Sequence, residues 1–401
     1  MNHRSYITFS ARCELASKWL SIAAIVSIPL STAATSIITG LIVPAWLAAG
    51  DYHRRLRQIR SHAVALWALA LLALLIIGVF YSSATTEEAL HGLKKYSKLL
   101  WIPVFITILH EPLWQRRGYY AFLGAMLLVL VASYSQLLGL LPVGPDGHEY
   151  NFFKSRIAHG IFMAYTLYLF LHHLWMEPER RALWLLLIAV AGYNLFFMVQ
   201  GRSGYLVFFA LIMLYMYQRW RSRGLILSLL IAVCLLSSML LTSPAFKARI
   251  HETISDIRHY QQQDSYTATG LRLEFYVNTF MLITKHPLLG GGTGSFKSEY
   301  AALTAEHQLH ETGNPHSEYL LIATQLGLLG IGVLFMLGYR QWQLSHRLKL
   351  PFQVAAQGLL VTMAVGCLFN SLLMDFSEGH FYTCLTGLYY GYLARPSGTR
   401  E

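Results

Sequence analysis

Residues 62–82 read HAVALWALALLALLIIGVFYS, twenty-one positions without an Asp, Glu, Lys or Arg. At about 1.5 Å per residue, a helix of this length spans the roughly 30 Å hydrocarbon layer of a bilayer. Outward from this stretch, runs of the same kind recur from end to end. The chain has 401 residues, 55% of them hydrophobic and only 13% charged, where a soluble chain carries roughly a quarter charged residues. No interval is long and polar enough to form a separate soluble domain. The fold class that follows is all-α, a polytopic membrane protein.

Reading apolar runs against breakers gives about twelve helices, near 17–32, 34–50, 62–82, 97–111, 119–141, 157–175, 182–200, 204–220, 224–243, 316–340, 351–373 and 380–395. Pro29, Pro44 and Pro103 are expected to kink their helices. Cys13, Cys234, Cys367 and Cys384 have no metal-ligand spacing, and none falls in the long polar loop where a disulfide would form. They read as small packing residues. The amino terminus, with basic residues, an apolar run and then Ser31-Thr32-Ala33-Ala34, has the outline of a cleavable signal. A retained first helix fits better, because the next apolar run pairs with it.

Orientation follows from Lys and Arg. With the amino terminus in the cytoplasm, short clusters such as Arg54-Arg55, Arg57 and Arg60, or Arg219, Arg221 and Arg223, fall inside. Nineteen of the 31 basic residues lie on that side, and fourteen of the 20 acidic residues lie on the other. Both termini are then cytoplasmic. The net charge of +11 could suggest a nucleic acid, but basic clusters between apolar runs orient membrane helices, and no nucleic-acid partner is expected.

One connection differs from the rest. Residues 244–315 form an external segment of 72 residues, while the other connections are short. Loops this long usually carry function or structure of their own. Lys247 to Gln263 is amphipathic, Leu271 to Lys285 reads as a helix ended by His286-Pro287, and a short helix follows the Gly290–Gly294 turn from Phe296. The expected organisation is nine transmembrane helices in 1–243, a periplasmic helical loop in 244–315, and three further helices with a short tail in 316–401.

Four outward-facing places hold polar residues beside apolar helices: Lys154 and Arg156, Gln200-Gly201-Arg202-Ser203-Gly204, Arg272, and Asn314-Pro315-His316-Ser317-Glu318. Each has a plainer reading. A single Arg at a helix end most often snorkels to headgroups, and Gly201 and Gly204 could simply permit a tight turn. The Gly290–Gly294 run lacks the Gly-Lys-Ser/Thr of a phosphate loop. For His316 the local sequence favours more than packing. Asn314 suits an N-cap and Pro315 the first helical position. His316 is then expected in the first helical turn, where the dipole disfavours imidazolium and keeps the ring neutral, as a general base requires.

At these residues the sequence resembles the O-antigen ligase and polymerase family. The pattern is Gly201-Arg202-Ser203 opening a helix, Arg272 early in the large loop, and Pro287-Leu288-Leu289-Gly290 with Gly292, Gly294 and Phe296. Asn314-Pro315-His316-Ser317-Glu318-Tyr319-Leu320 then runs into Gln325-Leu326-Gly327-Leu328-Leu329-Gly330. Many relatives have Asn where this chain has Ser317. The motifs cover roughly 200–330, and the layout of spans and loop covers essentially the whole chain. The resemblance implies a GT-C-like membrane glycosyltransferase of the bacterial inner membrane, with its active site facing the periplasm. Its donor would be a glycan on undecaprenyl pyrophosphate and its acceptor a sugar hydroxyl of lipid A-core, in lipopolysaccharide biosynthesis, among membrane lipids.

Such a reaction expels a lipid pyrophosphate, which needs fixed positive charge as the glycosidic bond breaks. Arg202 and Arg272, with Arg156 as a third, are assigned to it, because a planar guanidinium stays ionised. His316 would take the acceptor's proton. Lys297, Glu318, Asp375 and His380 are possible additions, the last two set against the reading of a polar turn at Asp375, Glu378 and His380. There is no Asp-x-Asp pair and no outward carboxylate pair placed for double displacement. Neither metal nor cofactor is expected, and the transfer is expected to invert. Within the family, O-antigen polymerases and protein O-oligosaccharyltransferases are the alternatives, differing in acceptor. A transporter or flippase would place ionisable residues at helix centres, and the expected helix centres have none. A receptor or scaffold without catalysis is the remaining alternative.

Overall fold

The run at 62–82 folds as a helix over Ala63–Phe80, entered through His62 in extended conformation. The computed structural model describes residues 3–142, 150–199, 201–242, 247, 251, 255, 268–307 and 310–394. Among these it is helical throughout, with no strand. In chain order the helices are α1 (His3–Ser27), α2 (Thr32–Ala48), α3 (Tyr52–Ser61), α4 (Ala63–Phe80), α5 (Thr86–Tyr96), α6 (Trp101–Ile108), α7 (Pro112–Leu137) and α8 (Arg156–Met176). They continue with α9 (Arg181–Tyr193), α10 (Arg202–Thr242), α11 (Ala268–Lys285), α12 (Ser295–His307), α13 (Glu318–Ser345), α14 (Phe352–Phe369) and α15 (Phe376–Tyr390).

Among the described residues, six segments are long and apolar enough to cross a membrane: Ala63–Phe80, Pro112–Leu137, Arg156–Met176, Pro178–Met198, Glu318–Ser345 and Phe352–Phe369. Thr32–Ala48 and Tyr52–Ser61 together make a seventh if their 115° bend is counted as one broken span. The chain is a multi-pass helical membrane protein. α8 is its central helix, buried along most of its length, with Phe162, Tyr165 and Tyr168 enclosed. Tyr165 Oη bonds the Ala355 carbonyl and Tyr389 Oη, at 2.9 Å each, so the interior aromatics satisfy their hydroxyls within the bundle.

Several elements depart from expectation. α1 starts at His3 rather than near 17, because no Pro or Gly interrupts the chain before Pro29. α3 and α5 occupy stretches read as connections. α10 covers both helices expected at 204–220 and 224–243; it turns sharply at Arg221, whose φ is 54°. The span expected at 316–340 is also broken. Gly327, at φ 59° and ψ −156°, interrupts α13, and the Tyr319 ring stacks on Phe335, sixteen residues away, at 5.7 Å. In a straight helix those residues would lie about 24 Å apart. In the large segment, helices cover Ala268–Lys285 and Ser295–His307. The amphipathic stretch 247–263 lies largely outside the described residues.

The glycine-rich turn is an anchor. Gly291 N and Gly292 N donate to the carbonyls of Thr324 and Gln325 at 2.8 and 2.9 Å, and Leu328 N and Leu329 N donate back to Pro287 and Leu288 at 2.9 and 3.2 Å. Thr293 N adds a bond to the Gly78 carbonyl of α4 at 3.0 Å. The two backbones lie so close that a Cβ on Gly327 would fall 2.4 Å from the Leu288 carbonyl.

Candidate functional site

The first wall of the site is a crossing of two helix starts. α8 begins at Arg156, capped by Ser155 Oγ accepting from Ala158 N at 3.4 Å. α10 begins at Arg202. The helices meet where Gly160 faces Gly204, and a side chain on Gly204 would sit 3.0 Å from the Gly160 backbone. That contact draws the two amino-terminal ends together, with the Arg156 side chain alongside Gly201. Aligned N–H groups give each end partial positive charge, so both arginines extend a field already suited to anions. The approach to the hairpin is a π-turn at Asn194–Met198, held by Asn194, which bonds His159 Nε2 at 2.8 Å and Ser133 Oγ at 2.6 Å.

The second wall is α11. Arg272, Phe275 and Tyr276 share one face of it, at helical spacing. Phe275 stacks on the His316 ring at 6.2 Å, with 26° between the planes. Tyr276 Oη reaches both the His316 carbonyl (3.2 Å) and the Leu368 carbonyl (3.0 Å). The Arg272 guanidinium is close enough to lower the pKa of His316, and Arg202 is close enough to lower that of Arg272. Arg202, Arg272 and His316 are therefore brought together, with Arg156 beside the hairpin.

A polar clasp joins the walls. Asn370 Nδ2 donates to Ser203 Oγ at 2.9 Å, and Ser371 Oγ donates to Asn314 Oδ1 at 2.7 Å. Asn314 Oδ1 also accepts from His316 N at 2.9 Å, closing an Asx turn that holds His316 at φ 55°. This corrects the expectation for His316. Ser317, not Asn314, caps α13, which starts at Glu318, so the histidine lies ahead of the helix and outside its first turn. Its imidazole is still held below the ordinary value, by burial first and by the Arg272 charge second. Burial and the Arg202 charge likewise lower Arg272, with Tyr276 acting in the opposite sense. The direction is the one the sequence reading expected, but its causes are burial and Arg272 and not a helix dipole.

The additional candidates separate. Glu318 is wholly buried and fully engaged: Oε1 accepts from Tyr96 Oη at 2.6 Å, and Oε2 accepts from Leu373 N and Met374 N at 2.8 and 3.3 Å. It fixes the 370–375 turn under the site and does not face it. Lys297 lies elsewhere, paired with Glu88 at 3.2 Å in a separate hollow of about 620 Å³ that also includes His91 and Lys95. Asp375 and His380 belong to the start of α15. The Asp375 carbonyl accepts from Lys98 Nζ at 2.6 Å; burial raises its carboxyl while Lys98 and Lys95 lower it. His380 is buried, bonded through Nδ1 to the Phe376 carbonyl at 2.7 Å. Lys154, on the same side, donates to Ser377 Oγ at 3.0 Å, and burial brings its ammonium down to about 8.

Sequence reading missed the clasp and the aromatic face of α11. Asn370-Ser371 carried a signal, two polar residues ending an apolar span on the side of the other candidates. Phe275 and Tyr276 carried none beyond their spacing from Arg272.

Residues 183–335 match the family model described as O-antigen ligase, a stretch containing Arg202, Arg272 and His316. An uncharacterised protein of Haemophilus influenzae is 26% identical over 133 residues, covering 31% of this chain and 33% of the relative. The match thus spans about a third of that relative's length. The matched stretch carries the arginine hairpin, the second arginine and the histidine, and over that stretch this multi-pass membrane protein is similar to the O-antigen ligases.

Proposed function

We propose that the protein transfers a glycan from undecaprenyl pyrophosphate to a sugar hydroxyl of lipid A-core at the periplasmic face of the bacterial inner membrane. The observation that carries this reading is the seating of the Arg272 helix against His316 through Phe275 and Tyr276, with the Arg202 hairpin tied to the same place by the Asn370–Ser203 and Ser371–Asn314 bonds. In the proposed reaction His316 accepts the proton of the acceptor hydroxyl, whose oxygen attacks the anomeric carbon. The bond from that carbon to the pyrophosphate oxygen breaks, and its electron pair leaves on undecaprenyl pyrophosphate. Arg202 and Arg272, with Arg156 alongside, stabilise the charge that develops there. A single displacement inverts the donor's anomeric configuration. Two fixed guanidiniums supply the positive charge that a metal supplies in other glycosyl transfers, so the transfer is proposed to be metal-independent. The GT-C-like layout of twelve crossings with both termini cytoplasmic belongs to the same proposal, since it turns the hairpin, α11 and His316 toward the periplasm.

Purified protein, a defined undecaprenyl-linked glycan and rough lipopolysaccharide test it, with the acceptor's mass shift as readout. Transfer that persists in EDTA and inverts the anomeric centre is expected. Elongation of the lipid-linked glycan, or modification of a protein Ser or Thr, in place of lipopolysaccharide would move the assignment to a polymerase or an oligosaccharyltransferase.

A further inference from the structure

α13 and α14 do not pack flush along their length. Between them runs a groove of about 550 Å³, lined by Phe335, Gly338 and Trp342 on one side and Leu360, Ala364 and Cys367 on the other. Among the described residues, no Asp, Glu, Lys, Arg or His lines it. Its rim is open, with Phe335 60% exposed, and its floor is core, with Met363 and Tyr382 each 4% exposed. It is a recess and not a flat helix face. Gly338 creates much of the room: a Cβ there would meet one atom within 4 Å, Leu360 Cδ1 at 3.6 Å.

The end of the groove toward the site fixes its meaning. Tyr319, three residues after His316, closes it, with its ring on Phe335 and its hydroxyl on the Ala364 carbonyl at 2.9 Å. Ser317 Oγ bonds the carbonyl of Cys367, a lining residue, at 3.4 Å. One residue on, the Leu368 carbonyl takes Tyr276 Oη, which also holds His316 and lies one turn from Arg272. The recess therefore runs from the bilayer flank to the underside of the His316 loop.

We propose that this groove holds the polyprenyl chain of the lipid donor. The inference rests on the function proposed above and adds where the donor's hydrocarbon lies. An uncharged recess between two membrane helices selects a hydrocarbon chain. In the donor the pyrophosphate is joined directly to the polyprenyl chain, so that chain must lie close to the His316 loop, whereas the acceptor hydroxyl is held by core sugars away from its acyl chains. A chain seated there carries its headgroup to the His316 loop and the arginines, where the leaving pyrophosphate must form. Bilayer and groove are equally apolar, so transfer between them adds little affinity. The groove acts by orienting the donor, and its effect falls on donor recognition.

The test compares an undecaprenyl-linked donor with a two-isoprene analogue, in wild type and in Gly338→Phe, with Leu360→Phe as a second filling variant and Gly338→Ala as a control that fits. Filling the groove should lower kcat/KM for the long donor about tenfold. It should leave KM for the acceptor and the kinetics of the short donor unchanged, and Gly338→Ala should behave as wild type. An unchanged long-donor kcat/KM in both filling variants overturns the proposal, as does a loss confined to the acceptor, which would assign the groove to acyl chains. A diazirine-bearing polyprenyl pyrophosphate gives a readout independent of turnover. Labelling of α13 and α14 peptides, lost in Gly338→Phe, is expected, and labelling elsewhere rejects the groove. Wild type that binds the probe but transfers nothing fails the proposed reaction and leaves the groove standing.

Discussion

Arg272 and Lys297 stand on adjoining helices of one segment, yet they occupy different physical settings. Arg272 is partly buried on α11 beside His316, and its charge is disfavoured first by that burial and further by Arg202. Lys297 on α12 is 68% exposed at its side chain and shares Glu88 across an open hollow. Solvent screens the second arrangement, and exposed pairs of this kind contribute little. The first keeps positive charge where water is scarce, which makes it strong toward an arriving anion. Formal charge is similar in the two places; burial separates them.

Substitutions break or sharpen this contrast. Replacing His316 with Ala should reduce transfer ~10²–10⁴-fold, with purified protein still monodisperse in detergent; retained turnover ends its role as base. Arg202→Lys and Arg272→Lys should each lower kcat about 10- to 100-fold, because a point charge cannot reproduce the planar fork. Full activity in both would show that charge alone suffices. The acid limb of kcat/KM should fall below the ordinary imidazole value of about 6.5, since a lowered pKa keeps His316 neutral to lower pH. In Arg272→Gln the residual activity should show that limb moved upward, the Arg272 charge being one cause of the depression; an unmoved limb would separate the two residues. Glu318→Gln should lower stability by about 1–3 kcal/mol, as an amide cannot accept all the bonds the carboxylate accepts, read as an earlier thermal midpoint. Lys297→Met should change transfer by less than about twofold; a loss matching Arg272→Lys would erase the distinction between the two settings.

Membrane character and the arginine and histidine positions were legible because they rest on single residue types and long apolar runs. The breaks at Arg221 and Gly327 were not equally visible. Arg221 lies in a basic cluster that already marked a turn, whereas Gly327 lies inside a run apolar enough to read as one helix. Its bend depends on backbone contact with Leu288, thirty-nine positions earlier, which no local pattern reports. α5 was readable in retrospect from Thr85 and Glu88, since Thr85 Oγ1 accepts from Glu88 N at 3.3 Å and Lys94 and Lys95 close the helix. Its weak apolar pattern hid it. His316 shows the opposite case: the sequence marked the residue but gave it the wrong device, because Asn314 makes an Asx turn instead of capping the helix, and burial and Arg272 are what lower the imidazole.

The paired backbones of 287–292 and 324–329 have a consequence for how such a chain can change. They pin both ends of the stretch between them, and the clasp of Asn314 to Ser371 pins His316 within it. The exposed positions of α12, Ala301, Ala302 and Ala305, can then drift while the histidine keeps its register, whereas Tyr300 and Leu303 are core and Tyr300 packs on Phe275 behind His316. Variation at those exposed positions leaves the scaffold intact, and a change at Tyr300 would be felt at His316 through Phe275.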